Sequence, residues 1–421
     1  MTYQPDVILI GDGPSSIKSV SANGLEWTID GGADGVDDLA PGKVMFAASE
    51  AVGRVVDVEP AGDDVTVTLA PVELTDVVRD GTIHLDQPLD LDSATFQEIP
   101  DPVGAVSIPS TSGGAALPAA FVAPPIRLVA LTDAPEGLPP PVGGSQLKRS
   151  IAGWDVTAYK SSTMLGLKAE RGLAKGTGLK ATIDMHLTVD DLHVESNTPV
   201  EDGTVGLTKF LVHGITGFAI DLAAGVAEGA GDNEKVKIEV PIEIKQPVIV
   251  GGFPGMLKET FKFLVETAFS AKNATLQASG AWSLDGPLGF DGAAVSVPSA
   301  TRQKSLLNSL SGISIGVNGI VAAMEFRFGL EIGLPIAGAG PFAGVVVSTG
   351  LTNGSAGGLV RCRGVTLLGS VKGGVSISLS SHVQKALEKL LHVTVPGEKE
   401  LLKKDIINKS EVIPRVPLCG A

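Results

Sequence analysis

Residues 236–245 read VKIEVPIEIK, and this stretch decides the fold class. Val236, Ile238, Val240, Ile242 and Ile244 fall on one parity, and Lys237, Glu239, Pro241, Glu243 and Lys245 on the other. A helix would scatter those branched residues around its cylinder, whereas a strand sends alternate side chains to opposite faces. Val and Ile also pack well on a pleated surface. The pattern predicts a strand with one buried and one wet face, as in antiparallel sheets.

The same period of two extends outward from this stretch. Ile183, Met185, Leu187 and Val189 alternate with Asp184, His186, Thr188 and Asp190. In KETFKFLVETAF (258–269), Phe261, Phe263, Val265, Thr267 and Phe269 share one face, which favours strand over helix. Residues 317–350 predict a long hairpin, with Met324, Phe326, Phe328 and Leu330 on one face and Gly338-Ala339-Gly340-Pro341 at its bend. Residues 357–381 supply two or three further strands. Near the N-terminus, Val7 to Ile10, Leu25 to Ile29, Lys43 to Ala47, Gly53 to Val58 and Val65 to Leu69 are short strands, with a hairpin turn at Gly62-Asp63-Asp64.

Two segments differ. Residues 91–150 are rich in Pro, Ala, Gly and Ser and read as a connector, with Ile126 to Leu131 as an embedded strand. In SSHVQKALEKLLH (380–392), Val383, Ala386, Leu387, Leu390 and Leu391 recur at helical spacing, so one amphipathic helix is expected there. The expected organisation is all-β. An acidic module, a small β-barrel or sandwich, spans 1–90, the connector 91–150, a large antiparallel sandwich-like domain with the helix 151–395, and an extended tail 396–421.

Composition sets the limits on function. Aromatic residues make up only 4% against 53 glycines and 27 prolines, so the core must be aliphatic and the turns many. Net charge is −15. Residues 1–110 hold 20 acids and 4 bases (−16), which leaves 27 acids and 28 bases in the rest. Such an acidic face repels phosphate backbones, so nucleic acid is not an expected partner. No apolar run reaches the length of about 18 residues that a spanning helix needs. The N-terminal MTYQPDVILI lacks a basic segment and an apolar signal core, so a cytoplasmic chain and a mature exported form both fit it. Cys362 and Cys419 are too few for a disulfide scaffold, and the two are a candidate single bridge.

The two glycine- and acid-rich motifs near the N-terminus fail their context tests. DVILIGDGPSSIKSV (6–20) opens like a dinucleotide-binding unit with Gly11 and Gly13, but Ser16 stands at the third glycine and strand character follows instead of helix. Asp30, Asp34, Asp37 and Asp38 crowd the turn DGGADGVDD as a calcium loop might. The twelfth position is Pro41 rather than a bidentate Glu, so these four are weak metal candidates and no cofactor is expected. His186 shares its strand face with Asp184 and Asp190, a candidate metal or proton-transfer pair. No GxSxG or HExxH motif occurs.

One resemblance covers about two thirds of the chain. Pro41-Gly42-Lys43, Gly53-Arg54-Val55-Val56 and TLAPVELTDVVRDG (68–81) resemble a short module found in large exported bacterial β-rich modular proteins. KVKIEVPIEIKQPVIVGG (235–252) and GAGPFAGVVV (338–347) are similar to the β body that follows it there. The resemblance implies export, to the extracellular space or the cell surface, and an elongated β architecture, but no activity. Together these readings favour a non-enzymatic extracytoplasmic structural or binding protein, with homo-oligomers formed through sheet edges. A carrier of an apolar small molecule or lipid is the first alternative. A hydrolase with an unconventional carboxylate site is the second.

Overall fold

The computed structural model describes residues 1–21, 24–98, 106–107, 144–172, 178–228, 230–313, 316–334, 337–356, 360–379, 398–416 and 419. The proposed strand 126–131 and the helix bearing Val383, Leu387, Leu390 and Leu391 lie outside them. The protein is all-β, as the alternation requires, and its sheets form a sandwich.

The N-terminal module is a six-stranded sheet of β1 (Val7–Ile10), β2 (Ile17–Val20), β3 (Glu26–Asp30), β4 (Val44–Ala47), β5 (Ala51–Ala61) and β6 (Asp64–Ala70) in the order β1-β4-β5-β6-β3-β2. A short 3-10 turn, Gly13–Ser16, separates β1 from β2, so the helix a dinucleotide unit needs is not there. Trp27, Ile29, Met45, Val67 and Leu69 form the module's own core. Strand β4 is buried on both faces: Met45 points into that core, while Val44 and Phe46 join the larger core of the body. Phe46 stacks on Phe253 at 4.8 Å, and the Ser49 N–H donates to the Gly252 carbonyl at 2.8 Å. The module is therefore docked on the body by an aromatic contact as well as by the chain itself.

A one-turn helix α1 (Leu74–Val77) leads into β7 (Val78–Pro88), which leaves the module and joins the first body sheet. After β8 (Thr95–Glu98), that sheet is built from β9 (Ser145–Ile151), β10 (Trp154–Ser161), β11 (Met164–Arg171), β12 (Leu179–Glu201) and β13 (Lys209–Val226). The second sheet begins with β14 (Lys235–Val250) and β15 (Phe253–Phe269). The chain returns to the first sheet with β16 (Ala274–Asp285), β17 (Leu288–Asp291) and β18 (Ser299–Lys304), and a second one-turn helix, α2 (Leu306–Ser309), follows. It completes the second with β19 (Val317–Leu334), β20 (Ala337–Ala356), β21 (Val360–Leu379) and β22 (Glu398–Ile413). The strand orders are β9-β10-β11-β12-β13-β16-β18 and β14-β15-β19-β20-β21-β22, with every neighbour antiparallel. One hydrophobic cluster joins the two sheets. Their edges meet where Arg302 on β18 holds Glu411 on β22 at 2.8 and 3.1 Å.

Five expectations change. Gly338 to Pro341 are not a bend: they lie inside β20, where Gly338 pairs with Gly333 and Ala339 with Ile332 of β19. Residues 360–379 are one long strand, not two or three. Their glycines provide room rather than turns: a Cβ on Gly373 would stand 2.5 Å from the Phe290 ring of the facing sheet. The stretch read as a tail is a hydrogen-bonded edge strand, and the connector contributes β8 and β9 to the sheets. Finally, the polar face around residue 184 is not wet. Asp184 and His186 are both buried, because packing covers both faces of β12 there.

Candidate ligand cleft

Where strands of both sheets end, the inter-sheet space opens into a cleft of about 330 Å3. One wall comes from the second sheet: Phe253 on β15, Ile332 on β19, Ala339 to Pro341 on β20, and Val375 on β21. Small residues let that wall stand back. Gly340 must be glycine, since a Cβ there would fall 1.9 Å from the Leu330 carbonyl oxygen. The opposite wall comes from the module and the first sheet: Val52, the 72–77 segment, Thr198, Val205 and Thr208.

The 72–77 segment is held from outside the cleft. The Glu73 N–H donates to Asp76 Oδ2 at 3.1 Å, fixing the first turn of α1. Asp76 in turn meets Arg54 Nη2 at 3.1 Å, and Arg54 also donates to the Gly42 carbonyl at 2.8 Å. From the N-terminus, Gln4 donates its amide to the Thr75 carbonyl at 2.9 Å, and its own N–H to Val77 at 2.9 Å. Arg54 is thus a positioning residue for the cleft wall, a role that its place in the Gly53-Arg54-Val55 strand does not announce.

A second polar cluster lies on the face of the first sheet. Tyr159 donates to Asp184 Oδ1 at 2.6 Å, and its ring covers Gly166, where any Cβ would come within 2.2 Å of it. His186 Nδ1 stands 3.6 Å from the same carboxylate oxygen, too far for a hydrogen bond. Asp184 Oδ2 and His186 Nδ1 are buried without a protein partner. Burial pushes the Tyr159 phenol well above its ordinary range and also raises the neighbouring Asp221 carboxyl. The cluster brings Asp184 and His186 together as the spacing suggests, but Asp190 is exposed and apart. Replacing Tyr159 by Phe leaves Asp184 buried without its donor, so a loss of about 1–3 kcal/mol in urea unfolding is expected. An unchanged midpoint would show that the bond carries no net stability.

The remaining sequence candidates are dispersed. Lys18 holds Asp30 at 2.6 Å and draws its carboxyl below the ordinary value, with help from the Gly32 N–H. Asp34 offers its backbone carbonyl to the Gly11 N–H, and Asp37 and Asp38 sit in a separate 3-10 turn. Among the described residues no three His, Cys, Asp or Glu side chains are grouped to hold a metal. Cys362 and Cys419 form a disulfide across a separation of 57 residues.

Residues 135–405 match a family described as a domain of unknown function (DUF8402). The chain belongs to that family. Residues 1–80 match a second one, likewise a domain of unknown function (DUF8403). The second match ends within β7, where the chain passes from module sheet to body sheet, so the cleft lies at the seam between the two matched regions. No curated protein and no solved structure matches the chain.

Proposed function

We propose that this is a non-enzymatic extracytoplasmic binding protein whose ligand is an apolar small molecule held in the cleft between module and body. The observation that carries this reading is the cleft itself. Its volume of about 330 Å3 lies at the lower end of small-molecule sites, and its lining is dominated by Val, Leu, Ile, Phe and Pro side chains. Exposed apolar surface costs free energy in water, and a monomeric protein that keeps such a lining gains most when a ligand covers it. The Cys362–Cys419 bridge supports an oxidising compartment. The acidic N-terminal part argues against nucleic acid as the partner.

Native mass spectrometry of protein from its own source, compared with the denatured mass, tests the proposal. A ligand mass lost on denaturation is expected, and Val205→Trp, which plugs the cleft from its rim, should remove it. Two outcomes would sink the reading: native protein carrying no extra mass after incubation with medium-chain alcohol and amine probes, or a ligand retained by the plugged variant.

A further inference from the structure

The two walls of the cleft differ in chemistry. Among the described residues, the second-sheet wall, with Phe253, Ile332, Pro341 and Val375, brings no polar side chain to the cleft. Every polar side chain among the described lining residues comes from the other wall: Glu73, Thr75, Thr198 and Thr208. Glu73 is the one ionisable group among them, at the exposed start of α1.

Resting on the cleft reading, we infer that the ligand is an amphipathic cation, a hydrocarbon body with a protonated amine directed at Glu73. An ammonium has three donors and no acceptor, which suits a lining whose polar residues are a glutamate and three threonines. A carboxylate-headed ligand would place like charge beside Glu73 without a compensating cation from the lining. The surrounding field acts in the same direction, because residues 1–110 carry 20 acids and 4 bases and so attract cations. An apolar ligand with no polar head would leave the threonine wall facing hydrocarbon.

Calorimetric titration with decylamine, 1-decanol and decanoate separates these cases, since the three share one tail. Decylamine should bind about tenfold or more tightly than decanoate, with decanol between them. Glu73→Gln keeps the size of the side chain and the backbone bond to Asp76. It should remove the amine preference while leaving decanol affinity unchanged. Equal affinities for decylamine and decanoate would overturn the inference while leaving the cleft reading in place. So would an amine preference that survives Glu73→Gln, which would assign the cation to the general acidic surface. Failure of all three to bind would overturn the cleft reading and this inference together.

Discussion

Glu259→Leu is expected to make the protein more stable, and increasingly so as pH rises. Glu259 lies on the core-facing parity of β15 between Leu257 and Phe261, with Ile244 and Phe328 beside it in the ladder. It is fully buried, and neither carboxylate oxygen has a protein hydrogen-bond partner. Burial alone raises its pKa well above the ordinary 4.5. The folded protein therefore keeps a proton that the unfolded chain gives up above that value. Where the folded state binds more protons, stability falls as pH rises, at a limiting slope of about 1.4 kcal/mol per pH unit for one proton. The contribution is intact below pH 4.5 and is lost progressively up to the raised folded value.

Leucine has similar bulk, no buried polar atom and no proton to lose. At pH 5 it should add about 1–3 kcal/mol by removing the unpaired group, and the gain should widen towards pH 8. Urea unfolding of both proteins at the two pH values measures this directly. Asp221, whose carboxyl is also raised by burial, is common to both proteins, so the difference between them isolates Glu259. A variant less stable than the parent at pH 8 would mean that the carboxyl has a partner worth more than its burial costs.

The position of Glu259 was legible in the sequence. It stands two residues before Phe261, on the parity that carries Phe261, Phe263 and Val265 into the core. That parity is a local property of the chain; in VKIEVPIEIK the apolar parity is buried as expected, but the opposite face is not wet throughout, since Pro241 and Glu243 are buried too. Val236, Ile238, Val240, Ile242 and Ile244 are all buried, even though β14 bulges between Glu239 and Glu243, around Pro241. The Gly62-Asp63 turn between β5 and β6 was legible for the same reason.

What the pattern leaves open is which further layer covers a face, because that depends on residues distant in sequence. Asp184 and His186 alternate as a wet face would, yet they are buried, and the partner of Asp184 is Tyr159 from another strand. Glycine misleads for a related reason. Gly166 and Gly373 each lie inside a strand and make room for an aromatic ring, Tyr159 and Phe290, so a glycine in a strand can be a packing space rather than a break. The cleft draws on Val72 to Val77, Thr198, Phe253, Pro341 and Val375, which no spacing rule links. Its one local trace is Gly338 to Pro341, where small residues mark a receding strand rather than a bend.

Reduction of Cys362–Cys419 is expected to cost about 4 kcal/mol of stability, the loop-closure value for a separation of 57 residues. Most of that effect belongs to the unfolded chain, which gains freedom when the link is cut. A smaller and local part belongs to β22. This edge strand is held to β21 by a ladder that shifts register twice, and to β18 by the exposed Arg302–Glu411 pair. Without the bridge its amides should exchange faster than those of β19 or β20, which have neighbours on both sides. Guanidinium unfolding of the oxidised protein, the reduced protein and a Cys362→Ser/Cys419→Ser variant measures the global part, and hydrogen exchange the local one. Agreement between the reduced protein and the double variant, both well below the oxidised form, would make the fold dependent on an oxidising environment. Equal midpoints in all three would leave the bridge without energetic weight, and the extracytoplasmic part of the proposed function would lose its structural support.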